Sequence, residues 1–300
     1  MRPMPARPLR LSSRSAALLA LAPAFAVLVV VYIGATGWTI WISLTNSRML
    51  PSSVFVGLRQ YEQLFANERW QVSVHNLIIF GLLFILASLA LGFLLAVAID
   101  QRIRAESLLR SVYLYPFSMS FVVTGLVWQW LLNPTHGIEK LVRGWGFESF
   151  RFDWIVQQDM VIYTLVIAGV WHATGLVMAI MLAGLRGIDE DIWKAARVDG
   201  LKPWRVYVSI VAPMLGASFA TAAVLLSITV VRLYDLSVAM TNGGPGVASE
   251  VPAKFVMDHL FERQNLGLAT AAATSMLVTV AAVAAPFLYW QSKRQRLAVR

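Results

Sequence analysis

Few side chains in this chain can do chemistry, and those that can are embedded in apolar sequence. Trp171 and His172 stand together near the middle of a long apolar run, and Gln129 lies between Trp128 and Trp130 in another. Arg232, Tyr234 and Asp235 fall near the end of a third. Polar and ionisable groups are expensive to keep inside a bilayer, and by default they mark a solute pathway. Each also has a structural reading. His172 can hydrogen-bond to a neighbouring helix and hold a bundle together. The tryptophans around Gln129 can belong to an interfacial aromatic belt. Arg232 and Asp235, three apart, can pair with each other, or Arg232 can snorkel to the interface. These alternatives stay open on sequence grounds.

Other chemistries find no support. There is no G-x4-G-K-[ST], so the chain has no Walker-type cradle for ATP phosphates. Gly243–Gly244 is followed by Pro245, and the stretch Thr241–Gly246 (TNGGPG) reads as a turn. The four histidines, His75, His136, His172 and His259, have no metal-ligand spacing. With no cysteine, thiolate sites and disulfides are excluded. No serine sits in a nucleophile elbow. We expect no catalytic and no metal site on this chain.

The elements that position the polar residues are membrane spans. The chain is 58% hydrophobic and 14% charged, against about 25% charged in soluble domains. Six apolar segments reach the length of about 20 residues that a helix needs to cross a bilayer: Ala16–Leu44, Leu77–Ile99, Val112–Leu132, Val161–Leu185, Met214–Leu236 and Leu268–Trp290. Alternating apolar patterning is absent, so helices rather than a barrel satisfy the backbone in lipid. The expected fold is an all-α polytopic membrane protein of six transmembrane helices. The first segment follows a basic stretch but is far longer than a signal-peptide core, and reads as an uncleaved signal anchor. Pro116 is a candidate kink in the third span. The small residues of the sixth (GLATAAATSMLVTVAAVAA) suit close helix packing.

Lys and Arg orient the spans. With the N-terminus inside, the inner segments carry sixteen of the 25 basic residues, among them Arg2, Arg7, Arg10, Arg14, Arg102, Arg104, Arg110, Lys293, Arg294, Arg296 and Arg300. The outer loops carry eight, including Arg69, Lys254 and Arg263. This two-to-one bias places both termini in the cytoplasm. It also explains the net charge of +9 without nucleic acid.

One inner segment is neither apolar nor a plain loop: DEDIWKAARVDGLKPWRVYVSIVAPML, from Asp189 to Leu215. Asp189 suits an N-cap and Glu190 and Asp191 a first turn, where acids complement the helix dipole. Glu190 and Lys194 are four apart in the favourable order. Gly200 suits the stop and Pro203 the first position of the next helix. Ile192, Ala195, Ala196 and Asp199 share a face whose small side chains permit a close partner. An interfacial helix lying on headgroups is the alternative, but that type has a broad apolar face and a mostly basic polar one.

KAARVDG, nine residues, then IVAP resembles the EAA motif of ABC importer permeases. Ala195, Ala196, Gly200, Ile210 and Pro213 match at the family spacing, with Asp199 before the glycine. Lys194 replaces the family's Glu and Ala212 its Leu. GLRQYEQLF, HNLIIF, YLYPFSMSFVVTGLVWQWLLNP and LYDLSVAMTNGGPG are similar to segments of the sugar-permease branch, so the resemblance covers nearly the whole chain. Within that branch it is nearest to glucose/mannose-type permeases.

The resemblance implies a type I importer permease in the bacterial inner membrane. It has a cytoplasmic tail at 1–15, a transmembrane domain at 16–290 with a coupling helix at about 189–203, and a second tail at 291–300. It implies a heterodimer with a second permease, two ATPase subunits that bind the ATP and Mg, and an extracytoplasmic sugar-binding protein. No cofactor is implied on this chain. Lys194, Ala195, Ala196, Asp199, Gly200, Ile210 and Pro213 would form the ATPase contact, and Gln129, Trp171, His172, Arg232, Tyr234 and Asp235 the pathway. A hexose such as glucose or mannose is the expected substrate, with glycerol phosphate or a disaccharide as alternatives. A stand-alone secondary transporter predicts repeated halves and intramembrane acids for ion coupling; the sequence shows neither, since Asp235, near an outer end, is the only acid inside the expected spans.

Overall fold

The structure, a computed structural model, describes the backbone of residues 13–101 and 105–298 and the side chains of residues 18, 20–101 and 105–282. Most of the basic residues in the expected tails lie outside the residues so described, as do Arg102 and Arg104. Among the described residues there is no strand, only an isolated bridge between Thr45 and Phe55.

The chain forms two compact units. In the first, α1 (Ser13–Leu28) runs through a π-helical stretch, Val29–Gly34, into α2 (Ala35–Ser43). The short α3 (Arg59–Phe65) follows. A second π-helical stretch, Asp258–Glu262, precedes α15 (Leu266–Ala298), which packs on α2. The loop after α2 is closed by Gln60, whose amide donates to Thr45 O at 3.1 Å, and by the Gly267 N–H to Ser47 O at 2.8 Å.

The second unit, Phe65–Asp258, is built on α4 (Glu68–Asp100) and α8 (Val161–Arg186), which pack along their lengths. Around them lie α5 (Glu106–Ser118), α6 (Phe121–Leu131), α7 (Ile138–Gly144), α9 (Glu190–Val198), α10 (Pro203–Val206), α11 (Ala212–Met214), α12 (Gly216–Val231), α13 (Tyr234–Thr241) and α14 (Pro252–Met257). Lipid offers no hydrophobic drive for helix association, so close packing must supply it. The stacked rings of Phe80 and Phe84, 5.1 Å apart, press on Gly169 of α8. Gly175 is tighter still: a Cβ there would lie 1.9 Å from the Tyr113 carbonyl oxygen of α5.

Three segments depart from the expected spans. The second begins nine residues earlier, at Glu68, because Asn67 caps the helix by accepting from the Arg69 and Trp70 N–H groups. Its polar first turns lower the hydropathy, yet Ser73 and Asn76 are buried. The third is not one helix. Its chain turns 100° between α5 and α6. Pro116 stays inside α5, and the break falls at the extended Met119 and Ser120, where the Ser120 hydroxyl accepts from Val123 N–H. The fifth bends 70° between Pro203–Met214 and Gly216–Val231, then breaks again at Arg232–Leu233 before α13. Among the described residues, three helices are long and apolar enough to cross a membrane, or five segments if each bent pair is one span. Within α15 the apolar stretch Leu266–Ala282 reaches the last residue whose side chain is described.

Candidate functional site

The first candidate site is the segment from Asp189 to Pro213. Asp189 caps α9 through its carboxylate, which accepts the Asp191 N–H at 2.9 Å. At the other end Gly200 takes φ +67°, the left-handed conformation that costs other residues a Cβ clash. Leu201 N–H returns to Ala196 O and Gly200 N–H to Arg197 O, both at 3.1 Å, a Schellman stop. Pro203 then opens α10. Lys194 pairs with Asp191 at 2.8 Å rather than with Glu190. Both partners are exposed, so the pair contributes little stability.

The face expected to meet a partner is divided. Ala196 is 4% exposed and packs with Trp193 against the chain's own core. Lys194, Ala195, Asp199 and Gly200 are exposed. So are Val198, at 87%, and Trp204, which lies under Arg205. Ala196 is therefore removed from the outward face, and Val198 and Trp204 join it. Ile210 is half-buried in the π-helical stretch Tyr207–Val211, and exposed Pro213 lies two residues before the bend at Leu215.

The second candidate site is carried by α6 and α8. His172 is buried, and its Nδ1 lies 3.2 Å from the Thr124 hydroxyl of α6, with the rings of Phe121 and Phe117 at 4.2 and 5.7 Å. It thus makes the cross-helix bond weighed above. Trp171, its neighbour, is 37% exposed and meets Trp128 edge to face at 5.9 Å. The two tryptophans around Gln129 differ: Trp130 faces outward, whereas Trp128 packs inward with its indole N–H buried and unpartnered. Gln129 is half-buried between them.

Arg232, Tyr234 and Asp235 do not form the expected pair. Arg232 caps α12, the chain breaks at Leu233, and Asp235 falls in the first turn of α13. The break removes the helical spacing that an (i, i+3) pair needs, and the two make no ion pair. Tyr234 is half-buried beside them. α13 nonetheless packs on α6, where Gly125 meets Ala239, so neighbouring elements carry all six pathway candidates.

Sequence reasoning missed a third cluster. Arg69 on α4 bonds to both Glu250 and Asp258, and Lys254 reaches both Asp258 oxygens at 2.9 and 2.8 Å. Asn76 donates to Ala248 O and Glu250 O, each at 2.9 Å, and pins the stretch that follows TNGGPG to α4. Burial raises the Glu250 carboxyl from its ordinary value despite Arg69. Burial opposes ionisation of Asp258 too, but hydrogen bonds from Lys254 and Arg69 outweigh it and hold that carboxyl low. The only local signal was the four-residue spacing of Glu250, Lys254 and Asp258; Arg69 lies 181 positions from Glu250.

Among the described residues no three His, Asp or Glu side chains converge as metal ligands would. Residues 88–297 match the family described as binding-protein-dependent transport system inner membrane component. A probable ABC transporter permease protein of Pyrococcus horikoshii is 34% identical over 92% of this chain and 95% of its own. The xylose/arabinose import permease protein XacH of Haloferax volcanii is 30% identical over 90% of this chain and 86% of its own. A bacterial ABC transporter involved in the import of the acidic polysaccharide alginate shares the fold, with a TM-score of 0.79 over 94% of this chain and 96% of that one, at 17% identity. The chain belongs to the family of inner membrane components of binding-protein-dependent transport systems.

Proposed function

We propose that this chain is the permease subunit of an ATP-driven sugar importer. It forms half of a six-span-per-subunit pathway with a second permease, and takes its motion from a separate ATPase that binds the ATP and Mg. The observation that carries this reading is α9. It is a fully capped helix that holds Trp193 and Ala196 inward and presents Ala195, Val198, Asp199 and Gly200 outward. The small Ala195 and Gly200 beside the almost fully exposed Val198 leave room on this face for a protein cleft. On the orientation read from Lys and Arg, α9 is cytoplasmic and the TNGGPG loop faces the extracytoplasmic sugar-binding protein. Closure of the ATPase pair rocks the spans between inward and outward access.

The substrate of this reading is a monosaccharide, with a hexose such as glucose or mannose expected. Family membership and the sugar named for XacH support the class. Trp171, Trp128 and Gln129, beside buried His172, supply the aromatic faces and hydrogen-bonding groups that a sugar requires. Arg232 and Asp235 flank the start of α13, which packs on α6. In reconstituted vesicles, glucose and mannose should compete with labelled hexose better than xylose, arabinose, a disaccharide or glycerol phosphate. Dominant competition by glycerol phosphate would overturn the neutral-sugar assignment. Uptake driven by an ion gradient without ATP would overturn the importer assignment.

A further inference from the structure

How α9 reaches the spans is not obvious from the backbone, because α9 meets the rest of its unit mainly through the Trp193 and Ala196 side chains. The Trp193 ring stands edge-on to Tyr207, 5.4 Å between centroids and 61° between planes. Tyr207 is the first residue of the π-helical stretch that leads to the 70° bend. Its hydroxyl accepts from the Gln101 amide at 2.9 Å, and Gln101 is the C-cap of α4. One ring therefore touches α9 on its face and the end of the longest helix of the unit at its hydroxyl. A second link ties the neighbouring helix ends: Arg186, last residue of α8, bonds to Glu106 of α5 at 2.6 Å and stands 3.9 Å from Asp100 of α4. The ends of α4, α5 and α8 thus form one charged plate, and Gln101 is the point where Tyr207 joins it.

We propose that Trp193–Tyr207–Gln101 is the relay through which displacement of α9 reaches α4, with Tyr207 as its positioning residue. The relay rests on the reading of α9 as the ATPase-docking helix. A compact aromatic pair transmits a push without stretching, while the single hydrogen bond to Gln101 sets which position of α4 goes with which position of α9. The chain has no cysteine, so one introduced thiol reports on one place.

The test uses the assembled transporter, with cysteine-free partner subunits and an environment-sensitive fluorophore on Ala98→Cys, an exposed position near the end of α4. ATP with Mg²⁺ should change its signal. Tyr207→Phe keeps the ring against Trp193 and deletes only the hydroxyl; Gln101→Leu deletes the other partner. Each should diminish the ATP-driven change, shifting the underlying equilibrium constant about fivefold toward the resting position, the effect of losing one side-chain hydrogen bond, while ATP hydrolysis continues. The double variant should lose no more than either single one, as expected for one shared contact. An undiminished signal in Tyr207→Phe, or additive losses in the double variant, would overturn the relay and leave the docking assignment standing. No ATP response in the parent would instead overturn the docking assignment, and the relay with it.

Discussion

Gly200 separates what the fold needs at the end of α9 from what a partner needs. Its φ of +67° is left-handed, yet a Cβ added there meets nothing within 4 Å. A Cβ therefore meets backbone strain alone within this chain, and the exposed position leaves solvent space for a larger side chain. For alanine that strain is about 1–2 kcal/mol, and for asparagine it is smaller because Asn enters this region more readily. A tryptophan carries the same strain as alanine and adds bulk that only a docked subunit would feel. The series Gly200→Asn, Gly200→Ala and Gly200→Trp thus varies strain and bulk separately. All three should be inserted and purified like the parent, with apparent Tm lowest for Ala and Trp. ATP-dependent sugar uptake should survive in Ala, fall in Asn, and vanish in Trp while ATP hydrolysis persists. Parent-level uptake by Gly200→Trp would refute the argument that α9 is seated against another subunit. Loss that tracks Tm alone would refute it equally, since strain would then explain everything.

Other outcomes follow from the packing and the charges. Gly175→Val would place a Cβ on the Tyr113 carbonyl and separate α5 from α8; overpacking of this kind costs about 1–3 kcal/mol or more, read as a lowered Tm in detergent. Arg69→Met leaves Glu250 and Asp258 with Lys254 alone, a loss of about 3 kcal/mol for a broken buried network, and should expose residues 242–251 to limited proteolysis. Asp258 is held low in the folded chain, so its stabilising effect is present above the unfolded carboxylate value and is lost as pH falls through the lowered folded-state value. Glu250, pushed up by burial, has the opposite sign and weakens the fold as it ionises with rising pH. Asp258→Asn should flatten the acid limb of a Tm–pH curve. His172→Ala should lower the stability of the α6–α8 contact, whereas Trp171→Ala should raise the KM for sugar with smaller effect on Tm.

The contrast between α9 and the bent spans shows what a sequence can carry. The cap at Asp189, the stop at Gly200 and the start at Pro203 are local chemistry, and each stands where its residue type predicts. The α8 span was equally legible, because its whole length is apolar. Hydropathy measures length and not direction, so the turns at Met119–Ser120 and Leu215 left no trace in it. Pro116 drew attention to the right neighbourhood for the wrong reason: the break is made by the extended Met119 and the serine cap at Ser120, three and four positions later. The outward face of α9 was half legible, since helical spacing groups Ala195 with Ala196 but cannot say which of them the chain's own core takes. Arg69 was counted only as a loop charge. Its partners lie 181 and 189 positions away, and only folding brings them together.

Purification of this chain from its native membrane in mild detergent, followed by reconstitution of whatever remains bound, tests the central claim most directly. The account predicts an assembly that contains a second permease and an ATPase, and that imports sugar only with a binding protein outside and ATP at the α9 side. A chain that purifies alone and carries sugar across vesicles without ATP would contradict it.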